Sequence, residues 1–220
     1  MATWRLSRES FLEASEIAHL LRHLASRGDL DRLIITTLLG TGLRNGELCG
    51  LTVAGLDGQG CRLCVELGTK TDRILYIPGA LAGELKQAAI GRNSHEPLIP
   101  NSRGRPFTPS VLYRRVRRIL TDAGFGAVAS VQLLRHTYGV MAYRATGGNL
   151  LFVQRQMGHA HPMITGVYAE WGNDDPATLA ERAGQELALD AGQGLVRNEM
   201  AVKAPIAAPR SPPPFRPEWD

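Results

Sequence analysis

No stretch of this sequence is apolar for the length a bilayer requires, and the N-terminus carries no apolar signal region. A soluble, cytoplasmic protein with no membrane partner is therefore expected. Cysteine is scarce: only Cys49, Cys61 and Cys64 occur. Cys61 and Cys64 form a CxxC, but no second pair follows. Both also fall in an expected strand, where positions i and i+3 face opposite sides. That argues against a zinc site and for reduced thiols. His19 and His23 are spaced i, i+4, yet no HExxH pattern or third ligand accompanies them, and they read as surface histidines. No carboxylate cluster is present to hold a divalent ion, so no metal is expected. Internal repeats are absent.

Acidic residues are missing from 101–120, where six arginines stand: Arg103, Arg105, Arg114, Arg115, Arg117 and Arg118. The charge is uneven elsewhere too. Glu170 to Met200 holds seven acids and two bases, while the rest of the chain holds 23 bases and 14 acids. A basic body of this kind suits a polyanionic partner. The 220 residues, 44% of them hydrophobic, suffice for one domain with a buried core, or one domain with a tail.

Punctuation divides the chain mostly into helices. The first is expected from Phe11 to Ser26, with Ser10 and Glu13 as a capping box and Ile17, Leu20, Leu21 and Leu24 as its apolar stripe. A buried helix spans Asp29 to Leu39 and is followed by Gly40-Thr41-Gly42. Arg44 then opens another helix, with Glu47 three residues on to hold its guanidinium. Cys61 to Leu67 and Arg73 to Ile77 read as strands of a hairpin, with Lys70 near the tip. Leu81 to Ala89 reads as a helix, and Gly91 to Pro97 as loop. Thr108-Pro109 caps a helix that places Arg114, Arg117 and Arg118 along one side, opposite Leu112, Val116 and Ile119. An arginine-rich face without glutamates suits phosphate contact, and Arg103 and Arg105 join it.

The stretch from Ser130 to Trp171 is the densest in unusual polar residues. Ser130 caps a helix with Leu133, Leu134, Tyr138, Met141 and Ala142 toward one face, and Gly147-Gly148 ends it. A second helix runs from about Asn149 to Met157 and stops at Gly158. A third begins near Pro162 and carries Tyr168, free to be placed independently. Asp175-Pro176 opens a last helix, to about Leu189. Six prolines follow from Pro205 onward, within a flexible tail.

Taken singly, Arg44, Lys70, Arg135, His159 and Tyr168 each have an ordinary surface or packing explanation. Together, TGLRNGEL, GTKTDR, LLRHTYG and MGH with a tyrosine nine residues later occur in one order. That order resembles the tyrosine recombinase, or phage integrase, family. The resemblance covers about Ser10 to Leu189. It implies an α+β, mainly α-helical catalytic domain with a small antiparallel sheet over residues 10–190. Residues 1–9 are then an N-terminal segment and 191–220 the tail.

It also implies cutting and rejoining of double-stranded DNA through a covalent 3′-phosphotyrosine, with no cofactor. On this reading Arg44 and Arg135 hold the phosphate oxygens, and Tyr168 is the nucleophile. Lys70 protonates the departing 5′ oxygen, His159 hydrogen-bonds the phosphate, and Glu47 and His136 support. A tetramer on paired sites is implied, with the acidic C-terminal segment meeting a basic neighbour. Two departures stand out. Gln132 occupies a position where the family usually has histidine, and an amide cannot carry a proton near neutral pH. Arg44 also comes too early for the N-terminal helical domain usual in the family, so weak, salt-sensitive DNA binding is expected. A type IB topoisomerase, or a DNA-binding accessory protein with weakened activity, remain the alternatives.

Overall fold

In a computed structural model, the described residues are 5–57, 61–67, 70–172 and 177–180, the side chains of 66, 67 and 70–72 excepted. The chain divides into Met1–Asn173 and Asp174–Asp220. Of the second unit only 177–180 is described, and it is helical. The rest of the helix expected to Leu189, and the 191–220 tail, lie outside the described residues.

The first unit is built around α6, Val131–Ala145. Ser130 caps it, its hydroxyl accepting the Leu133 N–H at 3.0 Å. The expected single apolar face is too narrow: Val131, Leu133, Leu134, Arg135, His136, Thr137, Gly139 and Val140 are all buried. A helix buried around most of its circumference is a core element. Its first turn joins the main apolar cluster through Val131, Leu133 and Leu134. Its later part joins a second cluster with Leu6, Phe11, Val153, Met157 and Tyr168 through Val140. Arg135, His136 and Thr137 lie where the two clusters meet.

The main cluster draws on the other helices. Helix α1 (Ala14–Ala25) supplies Leu20 and Leu24. Helix α2 (Asp29–Thr41) supplies Ile34, Ile35 and Leu38, α4 (Gly79–Ala89) supplies Leu81 and Leu85, and α5 (Pro109–Leu120) supplies Leu112, Val116 and Ile119. Each such side chain contributes about 1.5–3 kcal/mol on burial. Two expectations for α1 are corrected. Its box is Glu13 with Glu16, one turn after Ser10, because Phe11, in extended backbone, and Leu12 are drawn into the core. The Leu12 N–H donates to Thr137 Oγ1 at 2.9 Å. Leu21 is 43% exposed and leaves the stripe.

Helix α2 runs two residues past Leu39 and ends at Gly42, in left-handed backbone at φ 64°. A Cβ there would lie 2.5 Å from the Tyr138 ring, so glycine is required twice over. Helix α3 (Asn45–Gly50) follows. Strands β1 (Arg62–Leu67) and β2 (Lys70–Tyr76) pair antiparallel, with Leu63 opposite Leu75 and Val65 opposite Arg73. Lys70 thus opens β2, opposite Leu67, rather than lying in the loop between strands. Helices α7 (Leu150–Met157) and α8 (Pro162–Gly166) complete the unit. Arg144, late in α6, ties its ends together. It donates to the Trp171 carbonyl at 2.7 Å and to both carboxylate oxygens of Glu13. Among the described residues no helix is long and apolar enough to cross a membrane.

Candidate active site

Arg44 is the N-cap of α3. Its backbone N–H donates to Glu47 Oε2 at 2.7 Å, and its guanidinium to Glu47 Oε1 at 2.8 Å and the Gly158 carbonyl at 2.9 Å. Its side chain is 48% exposed and that of Glu47 7%. Burial alone would raise the Glu47 pKa. The hydrogen bond from Arg73, the Arg44 N–H and both positive charges outweigh it and hold the carboxyl below its ordinary value.

Arg135 reaches the same place from inside. It is 5% exposed, and it donates to the Gly42 carbonyl at 2.5 Å and the Met157 carbonyl at 2.7 Å. These carbonyls end α2 and α7, where helix dipoles favour a cation. The two guanidiniums therefore bind the carbonyls of consecutive residues, Met157 and Gly158. Burial, then the charge of Arg44, lowers the Arg135 pKa to about 10, which leaves it protonated at neutral pH.

Gly158 ends α7 in left-handed backbone, and His159 follows. Its Nδ1 lies 2.9 Å from the buried Thr165 hydroxyl. Burial, with the charges of Arg135 and Arg44, pushes its pKa down to about 4, so the ring is neutral at pH 7. The Tyr168 ring stacks beside it, centroids 6.2 Å apart at 14°.

Tyr168 corrects one expectation. It is not on α8 but in the turn after it, capping the short 3-10 helix Ala169–Trp171. Nor is it free. It is 1% exposed, packed so closely on α6 that a Cβ at Gly139 would lie 2.5 Å from its Cζ. Its hydroxyl lies 3.0 Å from His136 Nδ1. Burial raises its pKa to about 12, against the opposing charge of Arg135. Burial, then Arg135, lowers that of His136 to about 4. The amide of Gln132 lies 2.8 Å from His136 Nε2. The amide nitrogen donates to Nε2, so His136 carries its proton on Nδ1 and donates it to the phenol oxygen. Gln132 is exposed and, with His136, lines a cavity of about 320 Å³ shared with Ser7, Ser10 and Ser130.

Arg44, Arg135, His159 and Tyr168 thus gather around the C-terminal turn of α7, with Gln132 and His136 linked to the phenol. Two guanidiniums and a neutral imidazole can hold the non-bridging oxygens of a phosphodiester. Lys70 is located by its backbone alone. The five arginines expected to touch DNA are exposed: Arg103 and Arg105 in a loop, and Arg114, Arg117 and Arg118 on α5. Arg115 is diverted into an ion pair with Asp31 at 2.6 Å. The α5 N-terminus adjoins Arg44, since Asn45 Nδ2 donates to the Pro109 carbonyl at 2.7 Å. No group of three or more metal-ligating side chains occurs among the described residues. The residue that sequence reasoning passed over is Arg73, which grips Glu47 with two hydrogen bonds. Only the strand register, which sets it opposite the buried Val65, could have exposed it.

The family model described as the phage integrase family matches residues 10–173. Tyrosine recombinase XerH of Campylobacter jejuni is 27% identical over 184 residues, covering 81% of this chain and 50% of that protein. A crystal structure of XerA recombinase superposes with a TM-score of 0.63 at 26% identity, covering 80% of this chain and 65% of that one. XerH in a pre-cleavage complex with its difH substrate gives a TM-score of 0.65 at 23% identity, covering 83% and 55%. The chain spans about half the length of the curated relatives it matches.

Proposed function

Since this chain belongs to the phage integrase family, we propose that it is a site-specific recombinase that cuts and rejoins double-stranded DNA through a covalent 3′-phosphotyrosine. The observation that carries the reading is the convergence of Arg44 and Arg135 on the carbonyls of Gly158 and Met157, with Tyr168 stacked beside His159. A phosphodiester under attack gains negative charge on its non-bridging oxygens. The two guanidiniums offset that charge in fork geometry, and a neutral His159 adds a hydrogen bond. The Tyr168 oxygen attacks phosphorus and gives up its proton to water, its P–O bond forming as the bond to the 5′ oxygen breaks. Lys70 delivers a proton to that leaving oxygen. The new phosphodiester conserves the bond energy, so no nucleotide cofactor is consumed.

The buried phenol must leave its seat on Gly139 before it can meet DNA, and the short segment between His159 and Trp171 is the part that has to shift. The arginines of α5 and its preceding loop bind the backbone, and four copies assemble on paired sites. The acidic residues after Glu170 meet a basic neighbour in that assembly. Deleting the residues after Gly172 is expected to weaken assembly on DNA.

The decisive experiment uses a library of nicked duplexes with randomised cores, which trap the cleaved state. Wild type is expected to form a denaturation-resistant adduct on a preferred core, and Tyr168→Phe none. Relaxation of supercoiled DNA without site preference would instead indicate topoisomerase activity. DNA binding without any adduct would indicate an accessory role.

A further inference from the structure

Arg73 stands where a hydrophobic residue would serve the fold. It lies opposite Val65, which is 1% exposed, while Leu63 and Leu75 on that face are 0% exposed. Its neighbours Ile74 and Tyr76 point out and are 56% and 62% exposed. An arginine on the inner face of a two-stranded sheet is costly unless its charge is met. The Glu47 carboxylate meets it, with Nη1 on Oε1 at 2.5 Å and Nη2 on Oε2 at 3.0 Å. The two side chains are 11% and 7% exposed. A buried pair of this kind is poor support for stability, because an apolar pair of the same size often does as well. What it supplies is fixed geometry.

Both objects it fixes belong to the site. Glu47 is the carboxylate that orients Arg44 through the guanidinium and the backbone N–H. The flat of the Arg73 guanidinium also lies against Gly158, where a Cβ would fall 2.5 Å from Nη1 and 2.8 Å from Cζ. Gly158 offers its carbonyl to Arg44 and precedes His159. One side chain of β2 thus touches the support of Arg44 and the turn that bears His159. The strand it belongs to begins with Lys70.

We propose that Arg73 is a positioning residue for strand cleavage, holding the Arg44 guanidinium through Glu47 and the His159 turn through Gly158. The proposal rests on the recombinase reading and names a residue that acts through others without touching DNA. Removing it should misplace groups that act in the transition state and leave the basic DNA-binding surface as it is.

The test is single-turnover adduct formation on a nicked duplex that wild type cleaves, alongside melting temperature and DNA Kd. Arg73→Met, close in size and apolar, is expected to keep a cooperative melt and a Kd within about 3-fold, while the first-order rate falls about 100-fold, the scale of an ångström's misplacement. Arg73→Lys, which cannot grip both carboxylate oxygens, is expected to fall between. In an Arg44→Ala background, Arg73→Met should cost less than about 3-fold more, because the two act as one unit. If Arg73→Met does not fold, Arg73→Lys and Glu47→Gln decide by the same readouts. Rates within 3-fold of wild type in the folded variants would overturn the proposal, as would losses that simply multiply with that of Arg44→Ala. A wild type that forms no adduct on any duplex sinks the recombinase reading itself, and this inference with it.

Discussion

The hydroxyl of Tyr168 lies 3.0 Å from Nδ1 of His136, and the ring around it is 1% exposed. The proposed nucleophile is therefore held as a neutral phenol, inside the protein and bonded to a neutral imidazole. Its pKa of about 12 and the histidine's of about 4 both keep the proton on the phenol. Reaction requires that this arrangement open.

Gly139→Ala should loosen it. The added methyl would sit 2.5–2.8 Å from three ring carbons of Tyr168, closer than van der Waals contact allows. A stability loss of about 1–3 kcal/mol is expected from such overpacking, with faster nitration of Tyr168 by tetranitromethane. An unchanged melting temperature together with unchanged nitration would mean the ring does not rest there.

Acid should destabilise the protein through two histidines. His136 and His159 have folded pKa values of about 4 against an ordinary 6.5, so the unfolded chain binds more protons between those values. Their contribution is fully present above about pH 6.5 and is lost as pH falls toward 4. Carboxylates held low, such as Glu47 and Asp31, steepen the fall at its acid end. Variants isolate the histidines: His136→Asn and His159→Asn should each remove about one proton from the slope of stability against pH. Slopes identical to wild type would refute the assignment.

Arginines on and before α5 should separate into two kinds. Alanine at Arg103, Arg105, Arg114, Arg117 or Arg118 is expected to reduce the slope of log K against log salt by up to about 1 each, without lowering the melting temperature. Arg115→Ala should do the reverse. It strips a 2.6 Å ion pair from the buried Asp31 and leaves its carboxylate paired with Arg27, at a cost of about 1–3 kcal/mol. Denaturant melts and salt titrations of the same variants distinguish the two kinds.

Gln132→His restores a group that can carry a proton near pH 7, beside His136 and on the wall of the adjoining cavity. Faster single-turnover cleavage is expected. A rate equal to or below that of wild type would show that this position does not limit the chemistry.

The parts of the fold fixed by neighbours in sequence were legible. Thr108, Ser130 and Asn149 cap helices with their own side chains, and Gly158 ends one in the left-handed region. The Arg44–Glu47 pair spans three residues and could be foreseen. What escaped depends on distant partners. Ser10 lost its helix to Glu13 because Leu12 is anchored to Thr137, 125 positions away. Nothing near Tyr168 in the chain announces that its ring packs on the bare surface of Gly139. Arg73 was missed because its value lies in strand register and in a carboxylate 26 positions earlier. Lys70 reads as loop in the sequence because three polar residues extend β2 beyond its apolar part.

Both guanidiniums depend on the last turn of one eight-residue helix, α7, for their footing. Short helices fray from their ends well before a domain melts. Warming should therefore unmoor the two cations together while most of the protein is still intact. Heat inactivation would then run ahead of global unfolding, reverse on cooling, and be postponed by substitutions that do no more than strengthen that helix.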